Sequence, residues 1–221
     1  MLEQQLPPEI MKQAVRGISY IAHPLRLRIL EFLDVNGEAS VSQITKAVNA
    51  EQMIVSQSLK KFRDAGLVTT KRHRIFIYYS IHEEYYYSIH EEYPASIFEC
   101  LRKLYGYITD SIRFLADGYK AVLPPDYTTM AANRIKLFAN YDKMRILEFL
   151  LLNGESNVTQ IVLSTQNDQL KVSQYLRRLK DDEFVTCRRD GRFIYYNITK
   201  GVHKTALQCI HKRYEKIGRL I

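Results

Sequence analysis

The stretch Val-Ser-Gln-Ser-Leu-Lys-Lys-Phe-Arg-Asp-Ala-Gly-Leu-Val at residues 55–68 decides the fold of the chain. Its apolar side chains recur every three to four residues, the spacing of one helical face: Val55, Leu59 and Phe62. Another face of the helix carries Met53, Ser56, Gln57 and Lys60, and it is mainly polar and basic. The pattern therefore predicts a helix over residues 51–65, ended by Gly66, with one buried stripe and one exposed polar face.

Three shorter helical patterns precede this helix. Apolar residues recur at helical spacing after Pro8 and again after Pro24, and proline is favoured at the first position of a helix. Ser40 is suited to cap a third helix over residues 41–48, because its hydroxyl can accept a backbone N–H. The third and fourth helices, joined by a tight turn at residues 49–50, predict a helix-turn-helix.

Residues with a preference for β structure follow the fourth helix. Residues 67–70 and 75–79 favour two strands, and the basic residues 71–74 between them predict a hairpin with a basic tip. A similar hairpin is predicted later in the chain, with its turn over residues 188–192, where Asp190-Gly191 is typical of a tight turn.

The whole pattern occurs twice. Arg-Ile-Leu-Glu-Phe-Leu at residues 28–33 recurs unchanged at residues 145–150, so corresponding residues lie 117 positions apart, and no gap is needed between residues 7 and 81. A repeat of this length is the size of a whole domain. The sequence therefore predicts two domains, at residues 1–122 and 123–221.

A second, smaller repeat lies inside the first copy. Residues 78–85 recur unchanged as residues 86–93, which indicates an insertion that either lengthens the last strand or adds a loop. Beyond it the spacing falls to 109, which aligns Cys100 with Cys209.

Composition restricts the class of protein. A hydrophobic fraction of 46% and a charged fraction of 25% are ordinary for a globular protein, and no apolar stretch is long enough to span a bilayer. We therefore expect a cytoplasmic protein without membrane association. The 32 Lys and Arg against 24 Asp and Glu give a net charge of +8, which favours a polyanionic partner, although a merely basic surface remains an alternative.

These stretches resemble a known family. His23 to Leu30, Val55 to Val68 and Arg188 to Ile198 are similar to ArsR-type winged helix-turn-helix transcriptional regulators. The resemblance implies a mainly α fold with small β-hairpins (α+β), here as tandem winged-helix domains arranged as an intramolecular pseudo-dimer. It also implies a DNA-binding regulator, acting as a repressor, that reads a pseudo-palindromic operator on double-stranded DNA. A further homodimer of the fused chain is left open.

The family places the second helix of the helix-turn-helix in the major groove and the hairpin wing near the backbone or minor groove. By resemblance, the residues that face base edges are Ser56, Gln57, Lys60, Ser173, Gln174 and Arg177. Those that neutralise phosphates are Lys61, Lys71, Arg72, Arg74, Arg178, Arg188, Arg189 and Arg192. A solvated basic face is the alternative. Residues 180–183, Lys-Asp-Asp-Glu, add acid to the second copy, so unequal half-sites are expected.

The remaining functional classes have weaker sequence support. The third helices contain no cysteine and the three cysteines form no Cys-x-x-Cys pair, so we expect no metal site and no cofactor. The resemblance places Cys100 and Cys209 on interface helices, where they are either a redox pair or two small buried side chains. The alternative function is a winged-helix protein-interaction module with only nonspecific nucleic-acid affinity. An enzyme is not expected, because no phosphate-binding loop or nucleophile with its base is recognisable.

Overall fold

The computed structural model describes residues 4–82, 98, 101–102, 105, 109, 121–201, 204, 207–208, 210–212 and 215. The described part is mainly helical with small antiparallel sheets, which is a winged-helix fold. In chain order the elements are α1 (Pro8–Ile21), α2 (Pro24–Asn36), β1 (Glu38–Ser40), α3 (Val41–Val48), α4 (Gln52–Asp64), β2 (Val68–His73), β3 (Phe76–Ile81), α5 (Pro125–Phe138), α6 (Tyr141–Asn153), β4 (Ser156–Asn157), α7 (Val158–Thr165), α8 (Gln169–Asp181), β5 (Val185–Asp190) and β6 (Phe193–Ile198). The four helices predicted before the first hairpin are confirmed to within one or two residues.

Each sheet has three strands rather than the predicted two. Their orders are β1-β3-β2 and β4-β6-β5, and all neighbours are antiparallel. The strands β1 and β4 were not predicted, because runs of two or three residues are too short to show an alternation of apolar and polar side chains. Each of these strands follows α2 or α6 in the chain and pairs with the second strand of the hairpin, β3 or β6. The helix-turn-helix therefore begins directly after an edge strand of the sheet.

The predicted hairpin tips at residues 71–74 and 188–192 are too wide. Strand β2 pairs as far as His73 with Phe76, and β5 pairs as far as Asp190 with Phe193. Two-residue turns remain, at residues 74–75 and 191–192, because such turns match the twist of antiparallel strands. The basic residues Lys71, Arg72, Arg188 and Arg189 therefore lie on strands instead of in the turns.

The chain divides into two compact units that do not follow the order of the repeat. One unit holds residues 1–18 and 136–221, and the other holds residues 19–135. The two boundaries fall at corresponding positions, because Ile18 corresponds to Ile135 across the spacing of 117 residues. Most of the first helix of each copy thus belongs to the unit that holds the remainder of the other copy. The ranges 1–122 and 123–221 stay a prediction about where the two copies divide.

The unit of residues 19–135 has a continuous apolar core. Leu27, Ile29 and Leu33 of α2 are fully buried in it together with Leu59 and Phe62 of α4. The same core includes side chains of the exchanged helix α5: Tyr127, Ala131 and Ala132. Burial of apolar surface stabilises a fold, so α5 contributes to the stability of this unit.

The unit of residues 1–18 and 136–221 buries the corresponding positions. Met11 and Ala14 of α1 are fully buried, as are Ile146 and Leu147 of α6. Two aromatic rings of this unit, Phe138 and Phe184, pack edge to face with centroids 5.0 Å apart, an arrangement that aromatic quadrupoles favour.

Matched hydrogen bonds anchor the exchanged helices. The Leu123 N–H donates to Glu31 Oε1 at 2.7 Å in one unit, and the Leu6 N–H donates to Glu148 Oε1 at 2.6 Å in the other. The two glutamates are the same residue of the repeated hexapeptide, and each leucine directly precedes a Pro-Pro pair. Both glutamates are buried. The hexapeptide therefore holds the segment that leads into the first helix of the other copy.

The charges around these glutamates differ. Arg102 pairs with Asp34 at 2.6 Å beside Glu31, whose pKa burial raises from 4.5 to about 7. In the other unit Glu148 Oε2 accepts from Arg145 Nη1 at 2.8 Å, and its Oε1 lies 3.1 Å from His211 Nε2. Leucine occupies position 151, which corresponds to Asp34. Glu148 is therefore the carboxylate that faces both basic groups.

Two kinds of feature are absent from the described part of the chain. No helix among these residues has the length and apolar character needed to cross a membrane. Histidine, cysteine, aspartate and glutamate side chains within the same ranges form no group of three that could hold a metal ion.

Candidate nucleic-acid interface

Each helix-turn-helix begins with a capping box. The Ser40 side chain accepts the Gln43 N–H at 3.4 Å, and Gln43 Oε1 accepts the Ser40 N–H at 2.9 Å. Asn157 and Gln160 form the same reciprocal pair at 3.0 and 2.9 Å. Such pairs satisfy backbone N–H groups that a helix start leaves free. The predicted cap at Ser40 is confirmed, and the second copy achieves it with asparagine.

The turns between the paired helices also agree. Asn49 has φ +48 at the end of α3, and Gln166 has φ +54 at the end of α7. A left-handed residue reverses the chain within one or two positions, and asparagine tolerates this conformation better than most side chains. The backbone therefore turns in the same way between α3 and α4 as it does between α7 and α8.

The second helix of each pair has one buried and one exposed face. The fully buried residues are Val55, Leu59 and Phe62 in α4, and Val172, Leu176 and Leu179 in α8. The exposed residues are Ser56, Gln57, Lys60 and Lys61 in α4, and Ser173, Gln174, Arg177 and Arg178 in α8. The predicted division of the helix surface is thus confirmed in α4, and it recurs in α8.

The starts of these two helices differ in their caps. Asp168 Oδ1 accepts the N–H groups of Leu170 and Lys171 at 2.8 and 3.2 Å, whereas Glu51 at the corresponding position makes no side-chain cap. Each first turn also exposes a large apolar side chain, Met53 at 64% and Leu170 at 68%. Neither of these two residues is among the base-facing positions predicted from the sequence.

The first wing presents its basic residues to solvent. Lys71, Arg72 and Arg74 are exposed, and Arg72 Nε donates to the Arg74 carbonyl at 3.1 Å. Arg74 has φ +55 and occupies the position that Gly191 occupies, with φ +57, in the second wing. The first wing therefore places a cation where the second has no side chain.

Carboxylates engage one arginine of the second wing. Arg188 donates through Nε and Nη2 to Glu155 at 2.8 and 2.7 Å, and through Nη1 to Asp190 at 3.0 Å. These hydrogen bonds raise the pKa of Arg188 and lower that of Glu155. On the neighbouring helix, Arg178 Nε pairs with Asp182 at 3.0 Å. Two of the predicted phosphate contacts are thus already engaged by carboxylates.

The first copy lacks two of these three acidic partners, although Glu38 stands at the position of Glu155. His73 stands where the second copy has Asp190, and Ala65 stands where it has Asp182. Among the described residues, no ion pair joins Lys61 or Lys71 to a carboxylate. The candidate interface is therefore electrostatically unequal in the two copies, with more uncompensated positive charge in the first.

Some predicted features fall elsewhere. Cys100 and Cys209, the predicted redox pair, lie outside the described residues, as does the octad beyond His82. Cys187 is the cysteine that the structure describes, and it is a half-buried free thiol on β5.

Comparisons with known proteins identify the family. The model of the bacterial regulatory protein, arsR family, matches residues 23–70, which span α2 to β2. Nodulation protein NolR of Rhizobium meliloti is 34% identical over 112 residues, covering 49% of this chain and 84% of the relative. The HTH-type transcriptional regulator YgaV of Escherichia coli is 33% identical over 73 residues, covering 33% of this chain and 74% of the relative. Reduced HlyU from Vibrio cholerae is similar at 25% identity with a TM-score of 0.38, covering 40% of this chain and 93% of that structure. The chain belongs to the arsR family of bacterial regulatory proteins.

Proposed function

We propose that this protein is a sequence-specific regulator of transcription that binds double-stranded DNA through two winged-helix domains in one chain. The observation that carries the proposal is the exposed polar and basic face of α4 and α8. The opposite side of each helix is a fully buried apolar stripe, so the helix is packed against its unit while its polar side chains are exposed to solvent. The names of the relatives, a transcriptional regulator among them, support the same function.

The exposed side chains suit distinct parts of a duplex. Glutamine can donate and accept along the adenine edge, and arginine or lysine can donate twice to guanine, which fits Gln57, Lys60 and Arg177 to base recognition. The wing residues Lys71 and Arg72 suit phosphates, because their charge supplies affinity that does not depend on sequence. The net charge of +8 agrees with a polyanionic partner.

We further propose that the two copies act as an intramolecular pseudo-dimer on an imperfect palindrome. The reciprocal placement of the first helices supports this arrangement, since each unit is built from both copies. Covalent linkage makes the pairing of the copies independent of protein concentration and allows the two reading helices to diverge. The unequal charge of the two surfaces suits unequal half-sites.

Selection of bound duplexes from a random pool, followed by gel shifts at fixed salt, tests the function. Replacing Gln57 and Lys60 by alanine should relax selectivity and should weaken binding to the selected duplex about 5- to 150-fold for each good base contact that the substitution removes. Lys136→Ala, which removes an exposed charge from α5 instead of a reading face, is the matched control and should change binding little.

The outcomes separate the alternatives. Equal binding of the wild-type chain to all duplexes would overturn the proposal and favour a protein-interaction module. A reporter gene placed behind the selected sequence tests the direction of regulation, and repressor action requires its expression to rise when the double variant replaces the wild-type chain.

A further inference from the structure

A large apolar side chain stands in solvent on each reading helix. Met53 of α4 and Leu170 of α8 occupy corresponding positions in the repeat, and each is about two-thirds exposed. Burial of a side chain of this size is stabilising, and at this exposure neither residue obtains most of that stabilisation within its unit. The position is therefore apolar in both copies although the fold does not bury it.

These two residues adjoin the base-facing positions. In a helix, residues three and four apart are neighbours on one face. Met53 is followed at those distances by Ser56 and Gln57, and Leu170 by Ser173 and Gln174, all of which are exposed. The apolar side chain therefore forms the N-terminal end of the polar reading face in each copy.

The chemistry of the surroundings indicates the occupant. Lys60 and Arg177, one turn further along, are exposed cations that favour a polyanion over an apolar protein surface. In the major groove of DNA the apolar group is the C5 methyl of thymine, and the N-terminal residues of a recognition helix are those that approach base edges. An apolar side chain at this place is complementary to that methyl group.

We propose that Met53 and Leu170 each read the C5 methyl group of a thymine, one in each half of the operator. The proposal rests on the proposed DNA-binding function and adds to it a contact that discriminates thymine from the other bases. Methionine and leucine are both large enough for the contact, so the two copies can share this readout while their polar contacts differ.

Replacement of thymine by deoxyuridine gives a direct test, because it removes the methyl group and keeps the base pairing. Each thymine of the selected operator is replaced in turn, and affinity is measured by gel shift for the wild-type chain, Met53→Ala and Leu170→Ala. For the wild-type chain, one replacement in each half should weaken binding about fourfold, the effect expected from removing one buried methyl group. Met53→Ala should abolish the effect in one half only, and Leu170→Ala in the other.

Two controls separate the contact from general damage. Ile54→Ala shortens the neighbouring exposed apolar residue of α4, which points to another face, and should keep both deoxyuridine effects. Met53→Leu keeps an apolar side chain of similar size and should also keep them.

The result that overturns the inference is a wild-type chain that selects a specific operator but shows the same deoxyuridine effects in all variants, or none in any. A wild-type chain that selects no sequence removes the proposed function itself, and this inference with it. Circular dichroism of each variant confirms that these surface substitutions leave the fold intact.

Discussion

Replacing the glutamate of the repeated hexapeptide by glutamine will have opposite effects in the two units. Glu31 and Glu148 occupy the same position of the repeat, and each accepts a backbone N–H from the segment that leads into an exchanged helix. Glutamine keeps an acceptor oxygen and removes the negative charge. Each unit has its own hydrogen bond of this kind, and the substitution can preserve it. A change in stability therefore reports the effect of the glutamate charge, for which the two units differ.

In the unit of residues 19–135, the charge of Glu31 is unfavourable. Arg102 is already paired with Asp34, and burial raises the pKa of Glu31 from 4.5 to about 7. Below pH 4.5 the carboxyl is protonated in both the folded and unfolded states. As the pH rises toward 7, the unfolded state ionises while the folded state retains its proton, so stability falls. Above pH 7 the loss reaches about 3 kcal/mol, which Glu31→Gln should recover.

In the other unit, the charge of Glu148 is favourable. Its carboxylate accepts from Arg145, and glutamine would leave this largely buried guanidinium without an anion. Breaking a buried pair costs about 3–5 kcal/mol. We expect the lower end, about 3 kcal/mol, because Arg145 Nη1 also donates to the Leu6 carbonyl at 2.7 Å.

Urea unfolding followed by far-ultraviolet circular dichroism gives the free energy of unfolding at pH 5 and pH 8, since the chain has no tryptophan to report by fluorescence. Hydrogen exchange of peptides from α2 and α6 assigns each change to a unit. At pH 8, Glu31→Gln should protect α2 more strongly, and Glu148→Gln should protect α6 less. Shifts of the same sign in both units, or a Glu31→Gln variant that is less stable than wild type at pH 8, would refute the reasoning.

Backbone conformation, surface charge and salt provide the remaining predictions. Gly66 and Glu183 are corresponding residues with φ +71 and +61, a conformation that glycine adopts more easily than other residues. In urea unfolding, Gly66→Ala should therefore lower the free energy of unfolding by about 1 kcal/mol, and Glu183→Gly should raise it by a similar amount. A Glu183→Gly variant with an unchanged free energy of unfolding would contradict this. Glu155→Gln removes the two-hydrogen-bond partner of Arg188 and leaves only its contact with Asp190, so operator binding in gel shifts should tighten about two- to fivefold. Glu38→Gln at the corresponding position should change binding less, and equal effects would argue against the ion pair as the cause. Operator affinity should fall about a thousandfold between 50 and 200 mM salt, and a flat salt titration would exclude phosphate contacts as a main source of affinity.

Local features of the fold were predictable from the sequence because their determinants are close in the chain. The stripe of Val55, Leu59 and Phe62 defines α4 within eight residues, and Ser40 caps α3 through a residue three positions away. The short strands β1 and β4 were not predictable, because their formation depends on pairing with β3 and β6 some 40 residues later.

The exchange of the first helices was not predictable either. A repeat shows which residues correspond, but the unit that takes up each helix depends on contacts such as that of Leu6 with Glu148, 142 positions apart. The candidate interface shows the same limit. Its exposed residues could be predicted from helical spacing. The hydrogen bonds of Arg188 with Glu155 could not, because they join residues that come together only when the chain folds.

The central claim is that one chain reads DNA with two diverged faces, and a footprint on the selected duplex tests it most directly. The wild-type chain should protect both halves of the site from hydroxyl radicals. Lys60→Ala should lose protection over one half, and Arg177→Ala over the other half. Loss of the same half in both variants, or protection that does not depend on the sequence of the duplex, would contradict the account.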